Sequence, residues 1–427
     1  MAIGADVISN ENKWYRLDNA AKIYPAISGS NRDSVFRVAV QLKREVNPQV
    51  LQEALVLTLP RFPSFSVKMK KGLFWYYFEH NTDIPAVTLE KAPPCRKIIT
   101  EETNGYLFRV SFYKRRISLE VFHALTDGTG AMAFLKSLVF QYLQLSACEV
   151  LPDDNILQCD MQPSLAETED SFKRFYSPGV KSGRAEDKAY QITGTRMKRE
   201  FVKIIHGIVS LKSFAGLVKD SRATITEYIA ALIIYSIYSV QLKGRECSMP
   251  VKISVPVNLR KFFPSRTLRN FSSYVNVGFT FLNEDYTFEQ VLENISSKIK
   301  AEIQPSRFIE KMSANVNAEK NIFLRMVPLF LKDVVLKKAF EIYGESLFTC
   351  SLSNLGVIRI PESMEEHIER FELVLGAPAI NLMNCAVCTF GDNLVISFTK
   401  AMLETDIEKF FFRFLSERGV RIAIETN

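Results

Sequence analysis

The sequence predicts an α/β protein made of two domains, and three observations predict it. The chain has 427 residues, more than one ordinary hydrophobic core organises and suited to two domains of about 200 residues each. Segments with apolar residues at alternate positions, the period of a strand, take turns with segments whose apolar residues recur every three or four, the period of a helix. Between the halves, residues 149–195 turn polar and rich in Pro, Gly, Asp and Glu. The expected division is a first domain at 1–165, an exposed crossover linker at 166–195 with a short helix near Ser171–Tyr176, and a second domain at 196–427.

In the first half, "VFRVAVQLKREV" from Val35 alternates as a strand does. A helix follows in "NPQVLQEALVLTLPRFPSF", where Asn47 can cap, Pro48 fits the first turn, and Pro60 and Pro63 are stop signals. "FSVKMKKGLFWYYFEH" reads as a hairpin turning around Gly72. Two strands joined near Lys114–Arg116 come next, with Ile117, Leu119 and Val121 pointing inward and His123 at the end. "GTGAMAFLKSLVFQYLQL" is helical in composition and length, so this unit is strand, junction, helix, a place where open α/β sheets present functional groups.

The second half repeats the texture. "FVKIIHGIVS" reads as a strand, "LKSFAGLVKD" as a helix, and "TITEYIAALIIYSIYSVQL" as a buried helix capped by Thr224 or Thr226 with Glu227 in its first turn. Its most apolar stretch, residues 228–240, is shorter than the 18 or so residues of a membrane span. Strands are expected at "VKISVPVNLR", "NFSSYVNVGFTF", "SLFTCSLSNLGVIRI", "NCAVCTFG" and "NLVISFTK", and helices at "TFEQVLENISSKIKAEI" and "ETDIEKFFFRFLSERG". "FLRMVPLFLKDVVLKKAFEIYG" is an apolar helix interrupted at Pro328. Its apolar side has three readings: core, wall of a tunnel, or a surface resting on a membrane. Packing inside is favoured, because Arg325, Lys332, Asp333, Lys337 and Lys338 supply a polar side.

Composition narrows the function. The net charge of +7 comes from 54 basic against 47 acidic residues, with short basic groups at Lys68–Lys71, Lys114–Arg116 and Arg196–Lys203. No arginine stripe interleaved with aromatics runs through a binding module, so nucleic acid is not an expected partner. A phosphorylated small molecule or an acidic carrier protein suits a basic surface equally well. Seven cysteines form no dense framework, which sets a reducing compartment as the default. Cys385 and Cys388 make a lone CxxC with no second pair, so inert thiols are expected and no metal site. The N-terminus lacks a basic region followed by an apolar core, and a cytoplasmic protein without a transmembrane segment is the default.

Chemistry concentrates at "VFHALTDGTG", residues 121–130, in a chain with only four histidines. An imidazole is a plausible general base near neutral pH. No GxSxG elbow and no matched cysteine accompany it, so His123 reads as a base acting directly on a substrate group. The small Ala124 and Gly128 keep its surroundings uncrowded, and Asp127 either orients the ring or holds the loop through an arginine. The bland alternative is a satisfied histidine in a strand-to-helix turn, with Asp127 merely capping the helix and Gly128 easing the bend.

"HALTDG" resembles the HxxxDG signature of the superfamily of chloramphenicol acetyltransferase, alcohol O-acetyltransferases, polyketide-associated acyltransferases, wax ester synthases and nonribosomal condensation domains, closest to the stand-alone alcohol O-acetyltransferase group. Phe122 stands where many members carry a second histidine. "SVPVNLRKFFPSRTLRNFSSYV", with Pro256–Arg260 at its centre, and "SLSNLG", residues 351–356, resemble further landmarks of the superfamily in order. The resemblance implies two chloramphenicol-acetyltransferase-like lobes with mixed sheets, forming a V with a central tunnel and the catalytic histidine midway. It implies a structural Asp127 paired with Arg260, and brings Ser353 and Asn354 toward the tunnel as oxyanion donors or as mere turn and strand residues. The same analogy turns residues 18–20 toward the tunnel, whereas Asn258 and Asn276 are expected to satisfy local backbone groups rather than bind substrate. The implied activity is transfer of an acyl group from acyl-CoA, a co-substrate and not a resident cofactor, to a hydroxyl or amine of a small-molecule acceptor. Two alternatives stand beside it: a condensation or release enzyme served by an acyl carrier protein, and a non-catalytic scaffold of the same fold. Peripheral membrane contact is compatible with any of them.

Overall fold

A computed structural model describes residues 14–29, 33–180, 186–198, 201–245, 247–282, 284–376 and 380–427. Residues 1–13 of the N-terminal stretch, 181–185 of the linker and 199–200 of a basic group lie outside them. Among the described residues, the strands of the first half are β1 (Trp14–Arg16), β2 (Val35–Leu42), β3 (Val67–Lys71), β4 (Tyr76–His80), β5 (Val87–Leu89), β6 (Phe108–Tyr113) and β7 (Arg116–Phe122). The second half carries β8 (Lys203–Ser210), β9 (Val251–Asn258), β10 (Ser272–Phe279), β11 (Cys350–Val357), β12 (Ile368–Val374), β13 (Met383–Phe390), β14 (Asn393–Lys400) and β15 (Ile422–Thr426). The helices are α1 (Ile23–Ile27), α2 (Pro48–Thr58), α3 (Gly128–Leu145), α4 (Ser171–Phe175), α5 (Leu211–Asp220), α6 (Ile225–Ile237), α7 (Phe288–Glu302), α8 (Pro305–Lys320), α9 (Ile322–Met326), α10 (Leu329–Tyr343), α11 (Glu362–Glu365) and α12 (Asp406–Glu417).

The result is a mixed α/β fold with two sheet-rich lobes. The first sheet runs β12-β2-β7-β6-β5 and the second β10-β9-β11-β13-β14-β8-β15, while β1, β4 and β3 form a small third sheet. Helix starts follow local chemistry. The Asn47 side chain accepts from the amides of Gln49 and Val50 with Pro48 in the first turn of α2, and Thr224 closes a capping box with Glu227 at α6. Over Ile225–Leu242 that helix is long and apolar enough to cross a membrane, yet its side chains from Tyr228 to Ile234 fill the second core.

Two departures from the sequence pattern matter for function. Strand β12, from the chain's second half, pairs antiparallel with β2 and so completes the first lobe's sheet. Its sequence, IERFELV, hides this role because charged residues interrupt the apolar ones, two of them, Arg370 and Glu372, being buried as a pair. Arg370 bonds Glu372 at 3.0 Å and Glu425 at 2.5 Å. Along β13, alternate side chains serve opposite cores: Cys385 and Val387 the second, Ala386 and Cys388 the first. Cysteines three apart on a strand point to opposite faces, so this pair cannot share a metal, and burial pushes both thiols up.

The apolar helix around Pro328 corrects the favoured expectation of inward packing. It divides into α9 and α10, and Phe323, Phe330, Val334 and Val335 are exposed.

Candidate active site

The site grows from the junction of β7 and α3. The last residue of β7 is Phe122, and His123 follows, its main-chain amide donating to the Ser34 carbonyl at 2.8 Å. Asp127 then caps α3, its Oδ1 accepting from the amides of Thr129 (3.1 Å) and Gly130 (3.2 Å). The other carboxylate oxygen, Oδ2, accepts from Arg260 Nη1 at 2.8 Å and from the Phe271 amide at 2.9 Å. Arg260 is held by further bonds from Nε to the Thr267 carbonyl (2.9 Å) and from Nη2 to the Arg269 carbonyl (2.6 Å). Between these two side chains the junction of the first lobe is tied to the segment between β9 and β10 of the second. A Cβ on Gly128 would press on the Leu355 side chain, which can give; on Gly130 it would run into the Leu268 carbonyl and the Thr126 hydroxyl. Gly130, which the sequence reading passed over, is therefore the less replaceable of the two.

His123 is half-buried. Its ring stacks on Tyr24, centroids 4.4 Å apart and 13° from parallel, with Phe36 tilted against it at 5.0 Å. Nδ1 lies 3.1 Å from Asn270 Oδ1, and Asn270 Nδ2 donates to Asp18 Oδ2 at 3.3 Å. The Asp18 carboxyl also accepts from the Ala21 amide at 2.7 Å and lies 3.5 Å from Arg269 Nε. Burial pushes Asp18 up to about 6 against the pull of Arg269, and the groups that surround its oxygens, the Ala21 amide and the Arg269 guanidinium, are donors. That orients the Asn270 amide with its NH₂ toward Asp18, which leaves its carbonyl to accept from His123. The proton of the neutral imidazole is thereby assigned to Nδ1, and Nε2 keeps its lone pair with no hydrogen-bond partner among the described residues. Burial pulls the imidazole below its usual value, opposed by a bond to its own main chain, by the Asp127 charge and by Asn270.

This ring borders a cavity of about 270 Å³ that Asp127, Gly128, Ser353 and Asn354 also line. The cavity sits where two parallel strands part. β9 and β11 pair only at Ile253–Cys350 and Ser254–Ser351; beyond this, β9 stays with β10 and β11 with β13. Arg260 stands behind Asp127 and is not among the lining residues. Asn354 is engaged at both ends of its amide, donating to Thr226 Oγ1 at 3.0 Å and accepting from the Gly356 amide at 2.8 Å. Gly356 has φ +75°, a turn conformation that favours glycine. Asn258 accepts from the Arg260 amide at 3.0 Å and reaches Thr129 Oγ1 at 3.2 Å. Asn276 differs from its expected local role and donates to Glu186 Oε2 at 2.7 Å. In the 18–20 segment Asp18 is fully buried behind Asn270, and Asn19 bonds Glu319 at 2.8 Å. No group of three His, Cys, Asp or Glu able to hold a metal occurs among the described residues.

A family profile described as alcohol acetyltransferase matches residues 170–404, which include Arg260, Asn270 and the β11 segment. No curated protein matches the sequence at a meaningful level. Solved structures match in fold over nearly the whole chain. Polyketide synthase associated protein 5 from Mycobacterium tuberculosis aligns with TM-score 0.60 and 12% identity, covering 94% of this chain and 96% of that one. The first condensation domain of the calcium-dependent antibiotic synthetase, in complex with a substrate analogue, aligns with TM-score 0.63 and 12% identity over 97% and 100% of the two chains. Trichothecene 15-O-acetyltransferase from Fusarium sporotrichioides gives TM-score 0.60 and 10% identity over 97% and 96%. The two sheet-rich lobes are therefore the fold shared by chloramphenicol-acetyltransferase-like enzymes and condensation domains, and the chain belongs to the alcohol acetyltransferase family.

Proposed function

We propose that the protein transfers an acyl group from a thioester to a hydroxyl or amine, with His123 as general base. The observation that carries this reading is an imidazole at the rim of an interlobe cavity whose Nδ1 is committed to Asn270, so that Nε2 is the basic atom. Nε2 takes the proton of the acceptor as its oxygen or nitrogen bonds to the thioester carbonyl. The tetrahedral oxyanion needs donors about 2.7–3.1 Å away. Ser353 is the better of the two proposed donors, since its hydroxyl makes no hydrogen bond among the described residues while Asn354 is engaged in shaping β11. Collapse breaks the C–S bond, and the proton on His123 passes to the leaving sulfur. Asp127 and Arg260 hold the junction and touch no reactant in this scheme.

Two donors fit. Acyl-CoA is supported by the family match and by the fold likeness to a starter condensation domain of rhizomide synthetase in complex with C8-CoA. An acylated carrier protein is supported by the likeness to condensation domains. We propose the general reading, acyl transfer or condensation onto a nucleophile, first and CoA as donor second. A reducing compartment, the cytoplasm, suits seven unpaired cysteines.

The test is release of free thiol by the purified chain offered acetyl-, longer acyl- and aromatic-CoA, or acyl groups on a phosphopantetheinylated carrier protein, each with a library of alcohols and amines. Acceptor-dependent thiol release from CoA esters is expected. Release from the carrier alone replaces the donor and keeps the chemistry, and release from neither contradicts the proposal.

A further inference from the structure

Helix α10 turns an apolar stripe outward and two of its charged residues inward. Lys332 and Asp333 face the protein. Lys332 Nζ donates to the carbonyls of Phe74 (3.0 Å) and Arg325 (3.2 Å) and sits 3.6 Å from the centre of the Trp75 ring. Asp333 accepts from the Tyr76 hydroxyl at 2.9 Å. Phe330, Leu331, Val334 and Val335 face solvent instead, and their spacing of four puts them on one stripe. Ile322, Phe323 and Met326 extend the apolar surface along α9. The turn between β3 and β4 adjoins it, because the Leu329 amide donates to the Leu73 carbonyl at 2.8 Å. Exposure is high throughout: 79% for Phe323, 71% for Leu73 and 61% for Phe330. A contiguous apolar surface of this kind marks an interaction site, whereas apolar residues scattered singly do not.

Charge selects the occupant. From Lys320 to Phe340 there are five basic residues and one acidic, and the acidic one, Asp333, is turned inward. Lys320, Arg325, Lys337 and Lys338 are exposed around the stripe, and Lys70 and Lys71 flank it from β3. A second copy of the chain would bring the same positive rim against this one. A bilayer with anionic headgroups answers both features, taking the apolar side chains into its interface and the cations among its headgroups. We propose that α9, α10 and the β3–β4 turn form the surface by which the protein docks on an anionic membrane.

Docking there has a consequence for access to the site. Helix α1, which carries the Tyr24 ring stacked on His123, packs against α10. A groove of about 770 Å³, lined by Phe74, Trp75, Lys22 and Arg325 among others, opens beside the stripe. The proposal does not depend on the donor or acceptor assigned above.

The test is co-sedimentation of the full chain with vesicles of phosphatidylcholine alone and of phosphatidylcholine with phosphatidylserine. Binding to the anionic vesicles is expected, falling at least about ten-fold when Phe323→Asp, Phe330→Asp and Val335→Asp are combined. Lys337→Glu with Lys338→Glu is expected to weaken binding and to reduce its sensitivity to salt. The thermal unfolding midpoint of both variants, whose changed side chains are exposed, checks that they fold. Wild-type protein left in the supernatant with anionic vesicles overturns the proposal, as does equal binding by the charge-reversed variant. So does a wild-type dimer in gel filtration that the triple variant abolishes without any lipid binding, since the surface then meets a second copy.

Discussion

His123→Ala is expected to lower acceptor-dependent thiol release by at least about 10²-fold, within the range that a positioned general base contributes. The fold should survive the change. The ring borders a cavity and is not sealed in a core, and the main-chain bond from residue 123 to Ser34 is independent of the side chain. Truncation leaves the Asn270 carbonyl without its donor, and the space the ring vacates joins the cavity that His123 lines, so water can reach it. Circular dichroism and thermal unfolding should therefore resemble wild type while turnover collapses. Unchanged turnover would remove His123 from the mechanism. Intact biological activity in the variant would favour a scaffold of the same fold over an enzyme.

Asp127→Ala should be damaging in a different way, with large losses of both stability and activity. It removes the cap of α3, a change that costs about 0.5–2 kcal/mol. It also strips Arg260 of its counter-charge in a pair whose side chains are only 12% and 7% exposed. Breaking a buried pair costs about 3–5 kcal/mol, and these terms overlap and do not simply add. Activity falls because Asp127 Oδ2 also holds the amide of Phe271, the neighbour of the Asn270 that orients His123. Asp127→Asn should not rescue it, because an amide that keeps the Oδ1 cap turns its NH₂ toward two donors, Arg260 and the Phe271 amide. A denaturation double-mutant cycle with Arg260→Ala measures the coupling directly. Coupling near zero, with unchanged unfolding of Asp127→Ala, would dismiss the interlobe tie.

The parts of this site that were legible in the sequence share one property: their chemistry is local. Asn47 before Pro48, Thr224 before Glu227, and an aspartate placed to cap an apolar helix after a strand all carry their partners within three residues. Arg260 was named as the mate of Asp127 only through the family resemblance, for 133 residues separate the two. Asn270 and Asp18 were invisible as a relay to His123, because Asn270 is 147 residues from the histidine and 252 from the aspartate. No period or spacing encodes such a bond. Strand β12 was missed because buried ion pairs replace the apolar run expected of an inner strand. Helix α10 misled in the opposite direction. Its pattern is that of an amphipathic helix, and only the contacts of Lys332 and Asp333 reveal that these two charges face in while the apolar stripe faces out.

The claim on which the chemistry rests is that His123 is a neutral imidazole with its proton on Nδ1 and its lone pair on Nε2 at working pH. ¹⁵N NMR of the four histidines, with the His123 signals identified by their loss in His123→Ala, measures this most directly as pH is varied. Nδ1 should give the pyrrole-type shift and Nε2 the pyridine-type shift at pH 7. Burial keeps the ring neutral as pH falls, so protonation should occur only below its ordinary value of 6.5, and the acid limb of turnover should follow the same titration. An Nε2–H tautomer, or a ring already charged at pH 7, would contradict the account.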